Sequence, residues 1–424
     1  MNAPPLALPV SLSKQLTAAP HRLLFCIGAL NVLLAMGWWT AWLVAARWNL
    51  FVMPQPVVWA GWMHGIVMQY QVLPPFVFGF LLTVFPRWMG LPALERRHYV
   101  PVGVGMFGGQ ALTLVGLGGH ATALHLGIAL TIVGWSYGLA LLLRLLWRDP
   151  AWTWHAVSCA CALILGLAGL VAFAAYLYTP SPLLAFVAIR FGGFGLLLPL
   201  YFTVCHRMLP FFAASAIPGH RAWKPMGLLA AFWVFALAHL AIELVHAYAW
   251  LWTVDLPFAA MTAWMLWKWW PRQGKTTAPR AGTVAAIPAM PALLRVLYIG
   301  FAWLPVALVL YATQSLWLAA TGAFVLGRAP AHALFVGYFG SLLVAMVTRV
   351  TQGHSGRPLQ LGRVAAIAFA IVQLVAVVRI AAELVPDAMA WQAAAGIGWL
   401  LAFLPWVARS AWIYLTPRRD GKPG

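Results

Sequence analysis

Twelve histidines are spread over the 424 residues, and those of chemical interest stand inside long apolar runs: His64, His239, His246 and His332. An imidazole there is either hydrogen-bonded to a neighbouring helix or available as a metal ligand or proton carrier. His239, Glu243 and His246 fall at i, i+4 and i+7, one face of a continuous helix. The two imidazoles on that face are candidate copper ligands, with His125 or His155 as the candidate contributor from another helix. Arg190, Gln69, Gln71, Arg379 and Glu383 complete the polar set, and an intrahelical ion pair is sufficient to explain Arg379 and Glu383 at i, i+4. His21, His98, His120 and His220 fall in loops or at helix ends, where ordinary hydrogen bonding suffices. Cys26, Cys159, Cys161 and Cys205 show no disulfide-framework spacing, and Cys159 and Cys161 at i, i+2 point to different helix faces. They read as small packed hydrophobes.

The elements that position these residues must lie in lipid. The chain is 63% hydrophobic and 8% charged, against about 25% charged for a soluble protein. A β-barrel is excluded, because its strands alternate over only ~10 residues. Apolar windows of transmembrane length, about 20 residues, fall at 22–46, 59–85, 99–118, 121–147, 153–177, 182–205, 225–248, 249–270, 293–313, 330–350, 362–382 and 389–413. The fold class is therefore all-α, a polytopic membrane protein with about 12 transmembrane helices. Residues 1–21 form an N-terminal segment, 22–415 a single transmembrane domain with a Gly/Pro/Thr-rich linker at 272–291, and 416–424 a tail. The apolar stretch Leu316–Leu326 is too short to span and reads as a loop or re-entrant piece.

Charge sets the orientation. With both termini in the cytoplasm, 22 of the 26 Lys and Arg fall in inner segments and only Arg47 and Arg328 in outer ones. Cytoplasmic loops carry that excess in inner-membrane proteins. The net charge of +19 is thus a topology signal and does not point to nucleic acid. The environment is the lipid bilayer of a bacterial inner membrane.

In this topology the second and tenth spans both run inwards, and each opens with a histidine. At ~1.5 Å per residue, His64 lies about 8 Å below the outer boundary, and His332 at a comparable or shallower depth. Two imidazoles at matched depth can hold one haem iron between them, a b-type haem with its porphyrin in the apolar interior. Arg328, outside and beside His332, is then the partner for the haem carboxylates.

The second span reads His64-Gly-Ile-Val-Met68, then Pro74-Pro75, Gly79-Phe80, Pro86 and Gly90. It resembles the low-spin-haem helix of subunit I of the haem–copper oxidases, with the final Pro and Gly one residue early. The tenth span, Ala331-His332-Ala-Leu-Phe-Val-Gly337, resembles that superfamily's two-histidine helix with the second histidine kept and Pro330 in place of the first. A closer resemblance is to the NnrS family, haem- and copper-containing membrane proteins of denitrification and the nitric-oxide response. It rests on His332-Ala-Leu and on Val347-Thr-Arg349 through Gly353-His354-Ser-Gly356-Arg357-Pro358-Leu359, where Ser355 replaces the usual Thr. Phe80 to Gly90 and Arg207-x-x-Pro210-Phe211-Phe212 fit as well. Ile66 and Val67 stand where family members often carry a second His and a Glu.

The resemblance implies a haem protein of the nitric-oxide response, with His64 and His332 as axial ligands, a copper ion in addition, and an electron-transfer partner of unknown identity. Two axial imidazoles leave the iron no open position, which favours electron transfer over substrate turnover. A terminal oxidase or nitric-oxide reductase would need an open haem beside a second metal. Pro330 offers no donor and the seventh span no adjacent His-His pair, so no complete binuclear centre is visible and the expectation leans away from an enzyme. A secondary transporter suits the span number and the Pro74-Pro75 break, yet no inverted repeat is found. Shared features fall on the second, sixth and tenth spans, an oxidase-like pseudo-threefold spacing. Gly353–Pro358 reads as a helix-linking turn.

Overall fold

The computed structural model describes residues 12–271 and 290–421. After a short helix, Leu12–Leu16, the described chain forms twelve long helices. These are α1 (Pro20–Trp48), α2 (Ala60–Trp88), α3 (Arg96–Gly116), α4 (Ala121–Trp147), α5 (Trp154–Tyr178), α6 (Pro182–Ala216), α7 (Met226–Leu244), α8 (Trp252–Trp269), α9 (Ala292–Thr321), α10 (Ala329–His354), α11 (Arg363–Ala381) and α12 (Ala388–Leu415). Eleven are long and apolar enough to cross a membrane. The exception is α8, whose 18 residues include Asp255, Pro257 and Lys268. The protein is a polytopic, all-helical membrane protein.

Two boundaries differ from the hydropathy windows. The apolar piece after residue 313 is neither loop nor re-entrant up to Thr321: it continues α9, which stops only where Gly322 takes φ +72°. In the other direction α7 ends early, at Leu244. Most of the expected linker, residues 272–289, lies outside the described residues, as do residues 1–11 and 422–424.

The most enclosed spans are α2 and α10, 83% and 78% buried over their apolar windows. Both leave α-helical register in their first half, as does α6. A π-helical segment occupies Met68–Val72 in α2, Phe191–Leu197 in α6 and Ala333–Gly340 in α10. Proline explains two of these in part. Pro74, Pro75 and Pro199 supply no N–H, so carbonyls one turn earlier lose their helical donors. One such carbonyl, that of Gln71, is satisfied instead by Asn31 Nδ2 of α1 at 2.8 Å. Gln71 itself donates to Thr113 and Thr131 at 2.8 and 3.0 Å, joining α2 to α3 and α4. Its role is structural. Helices α3 and α4 meet so closely that a Cβ on Gly105 would fall 2.5 Å from the Gly134 Cα, the small-residue packing that membrane helices use.

Helices α2, α6 and α10 are tied at one end in a closed cycle. Arg87 of α2 lies 2.9 Å from His354 Nε2 of α10. Arg349 of α10 sits over the Phe212 ring of α6 at 3.9 Å, and Arg207 of α6 over Trp88 of α2 at 4.2 Å. Each helix gives one guanidinium to the next. A cation–π contact contributes from about 0.5 to about 2 kcal/mol, more where water is excluded, and Arg349 is buried. The expected turn beside this tie is shorter than Gly353–Pro358, because α10 runs on to His354 and the chain turns only from Ser355: Gly356 takes φ +66°, and Arg419 N of the tail donates to Ser355 O at 3.1 Å.

Candidate functional site

At the opposite end of the trio a cavity of about 380 Å³ opens among α1, α2, α6, α10, α11 and α12. It has the size of a small-molecule or cofactor site, roughly 300–1,000 Å³. His64 and His332 both line it. They reach it from the first turns of α2 and α10, immediately before the π segments of those helices or one turn away. Trp39, Trp59, Trp62, Phe186, Phe335 and Trp399 supply flat apolar walls, and Arg190, Arg328 and Arg379 the cationic groups.

Each imidazole is held by its own neighbours. The His64 ring stacks on Trp39 with centroids 4.5 Å apart and planes 8° from parallel, and Trp39 stacks in turn on Trp42 at 5.4 Å. Beside it Gly65 faces open space: a Cβ there would meet nothing within 4 Å. His332 Nδ1 lies 2.9 Å from the Arg328 carbonyl one turn back. That bond makes Nδ1 the protonated nitrogen and leaves the lone pair on Nε2, since the two ring nitrogens of a neutral imidazole divide those roles. Arg379 Nη2 lies 2.7 Å from Nε2 and 3.2 Å from Nδ1, over the face of the ring. The same guanidinium reaches Glu383 at 3.3 Å, and Glu383 also accepts the Arg328 N–H at 3.2 Å. The ion pair expected within α11 therefore exists, but it has a second partner in His332. The Arg328 guanidinium lies 5.6 Å above the Trp59 ring.

His239 and His246 are not brought together. The expectation of one helical face fails because α7 ends at Leu244, and His246 beyond it takes a left-handed φ of +57°. Its ring packs on Phe186 at 4.7 Å and its Nδ1 faces Tyr248 Oη at 3.2 Å. His239 is fully buried on Phe194, centroids 3.8 Å apart, with Nδ1 2.7 Å from Asp255 and Nε2 3.6 Å from Glu243. Glu243 pairs with Arg190 at 3.0 Å. Two buried carboxylates thus face one imidazole and one guanidinium, a network that can be electrically neutral, as burial in a low dielectric demands. Arg190 also lines a second cavity of about 370 Å³, which shares Arg328 and Ala331 with the first.

The other two histidines weighed for copper contact different groups. His125 packs on Tyr178, and His155 Nε2 lies 2.9 Å from His206 Nδ1. Among the described residues no three His, Cys, Asp or Glu side chains are grouped so as to hold a metal ion. Sequence reasoning missed Asp255 and the His155–His206 pair. A lone carboxylate in the apolar run 251–266 was the available signal for the first; nothing in the spacing linked 155 to 206.

Fold and site together define a multi-pass helical membrane protein with a cavity among six of its helices, lined by two histidines. The family comparison adds the lineage: the family described as NnrS protein matches residues 15–418, nearly the whole chain, and the protein belongs to that family. Comparison with curated proteins and with solved structures returns no match.

Proposed function

We propose that this protein binds a b-type haem between His64 and His332 and serves the nitric-oxide response of the membrane it occupies. The observation that carries the reading is that both histidines line one cavity, one of them with its Nε2 lone pair directed by a backbone bond. The donor set fits the group. Neutral imidazoles are haem-iron ligands, the aromatic walls suit a planar apolar macrocycle, and Arg328 stands at the rim for its carboxylates. Family membership supports the nitric-oxide link. His64 and His332 would hold the iron, and the haem would supply one-electron chemistry there; the aromatic and cationic residues of the cavity would orient it. Nothing favours His239 and His246 as a copper pair, since they face different partners.

The test is a pyridine-haemochrome assay and reduced-minus-oxidised spectroscopy on purified protein. One low-spin b-type haem per chain is expected, and its loss in His64→Ala. Protein purified from haem-replete cells without haem would refute the reading.

We also place the protein in the bacterial inner membrane with both termini and residues 272–289 on the cytoplasmic side, on the strength of the 22-to-2 distribution of basic residues. The cavity then opens towards the periplasm. Reporter fusions within 272–289 and at the C terminus are expected to be cytoplasmic; periplasmic activity at either would invert the arrangement.

A further inference from the structure

We infer that Glu243 is the proton acceptor of a buried ion network, taking up a proton from the second cavity when negative charge is added beside Arg190. The site rests on the network alone. The source of that charge, an electron arriving in the first cavity, rests on the haem reading.

The network has a place for one proton and an oxygen free for another. Arg190, Glu243 and Asp255 sum to a single negative charge, and a proton on His239, between the two carboxylates, brings the total to zero. His239 and Asp255 are 0% exposed and Glu243 2%, and so low a dielectric favours a neutral sum. His239 Nδ1 faces Asp255 at 2.7 Å, but Nε2 stands 3.6 Å from Glu243 Oε2, beyond hydrogen-bond length. Glu243 Oε2 is therefore buried with no hydrogen-bond partner, although Oε1 pairs with Arg190 at 3.0 Å. A cluster with only a structural role satisfies its buried oxygens. This one keeps a lone pair open.

Access and sensitivity come from different neighbours. Glu243 lines the second cavity, whereas His239 and Asp255 do not. The other groups facing it are already engaged or neutral. Glu383 takes Arg379 and the Arg328 N–H, the Arg328 guanidinium lies over Trp59, and Tyr248 and Tyr311 are un-ionised phenols near neutral pH. Arg190 lines both cavities, and no Asp or Glu lines the first. A negative charge gained in the first cavity acts on the network as if Arg190 had lost part of its own. Glu243 then passes from carboxylate to carboxylic acid, the proton coming from water in the second cavity and the electron from a one-electron donor. Carboxylate–imidazole chains within membranes commonly serve as proton relays.

Two measurements on the full chain decide the matter. In the first, protein without haem is treated near neutral pH with dicyclohexylcarbodiimide, which reacts with protonated carboxyl groups in apolar surroundings, and the Glu243 peptide is followed by mass spectrometry. Wild type and the charge-retaining Arg190→Lys are expected to label little. Arg190→Gln leaves the network one positive charge short, and His239→Gln moves the proton of the imidazole to a carboxylate; each should label Glu243 several-fold more. Equal labelling in all these proteins overturns the site. In the second, haem-loaded protein is reduced by a measured amount of one-electron donor in unbuffered solution containing a pH-sensitive dye. Proton uptake on reduction is expected in wild type, and its loss in Glu243→Gln. Uptake that is unchanged in that variant, or absent from wild type, overturns the coupling to the first cavity. Wild-type protein that takes up no haem would refute the haem reading, while the carbodiimide result still reports the proton site.

Discussion

The two ends of α10 carry the same small device and put it to different uses. At each, a histidine bonds back to the carbonyl four residues earlier and meets a guanidinium from another helix: Arg379 over the His332 ring, Arg87 at His354 Nε2. At the first end the imidazole lines a cavity together with His64. At the second its ring packs against His21 at 4.5 Å, beside a turn on which the C-terminal tail is docked. A histidine–arginine pair is therefore not a site in itself. The empty space around it, and a second imidazole facing that space, make the difference.

The comparison is broken most sharply by removing each imidazole. His332→Ala is expected to abolish the low-spin haem spectrum, and His354→Ala to retain full haem content while lowering the thermal midpoint. Haem lost equally from both would erase the distinction. A smaller effect is expected from Arg349→Met, which keeps an apolar side chain over Phe212 but removes the cation. Stability should fall by about 1 kcal/mol, read as a lower midpoint in detergent, with unchanged haem absorbance. Any spectral change would mean that the tied end communicates with the cavity. The smallest effect belongs to His246→Ala. Its ring packs partly exposed on Phe186 and Tyr248, so neither metal content by elemental analysis nor haem content should move; a lost copper ion would restore the ligand role that the spacing suggested.

Much of the bundle was legible because lipid demands long apolar runs, and a 63% hydrophobic chain supplies them visibly. The placing of His64 and His332 on one cavity was legible too, since two helices of one direction with a histidine in the first turn fix comparable depths. What escaped the sequence depends on local backbone choices that composition does not record. Nothing at Val245–His246 resembles a stop signal, yet the helix ends there, and the i, i+7 partner leaves the face. Leu316–Thr321 is too short to span alone but costs nothing as a continuation of α9. The π segments shift hydrogen bonds from i+4 to i+5 with the same residues; Pro74, Pro75 and Pro199 hint at two, and α10 offers no proline at that depth. The Arg379–His332 contact was hidden because an i, i+4 carboxylate already accounted for the arginine.

The cyclic tie of Arg87, Arg349 and Arg207 has a mechanical consequence. Three rods joined pairwise at one end behave as a tripod: none can slide or rotate without loading both of the others. Their joint is the fulcrum, the feet stand around His64, Arg190 and His332, and the irregular turns just inside those feet are the compliant points. A small spreading of the feet would enlarge the space between them while the joint stays shut, so that one face would widen without loosening the other.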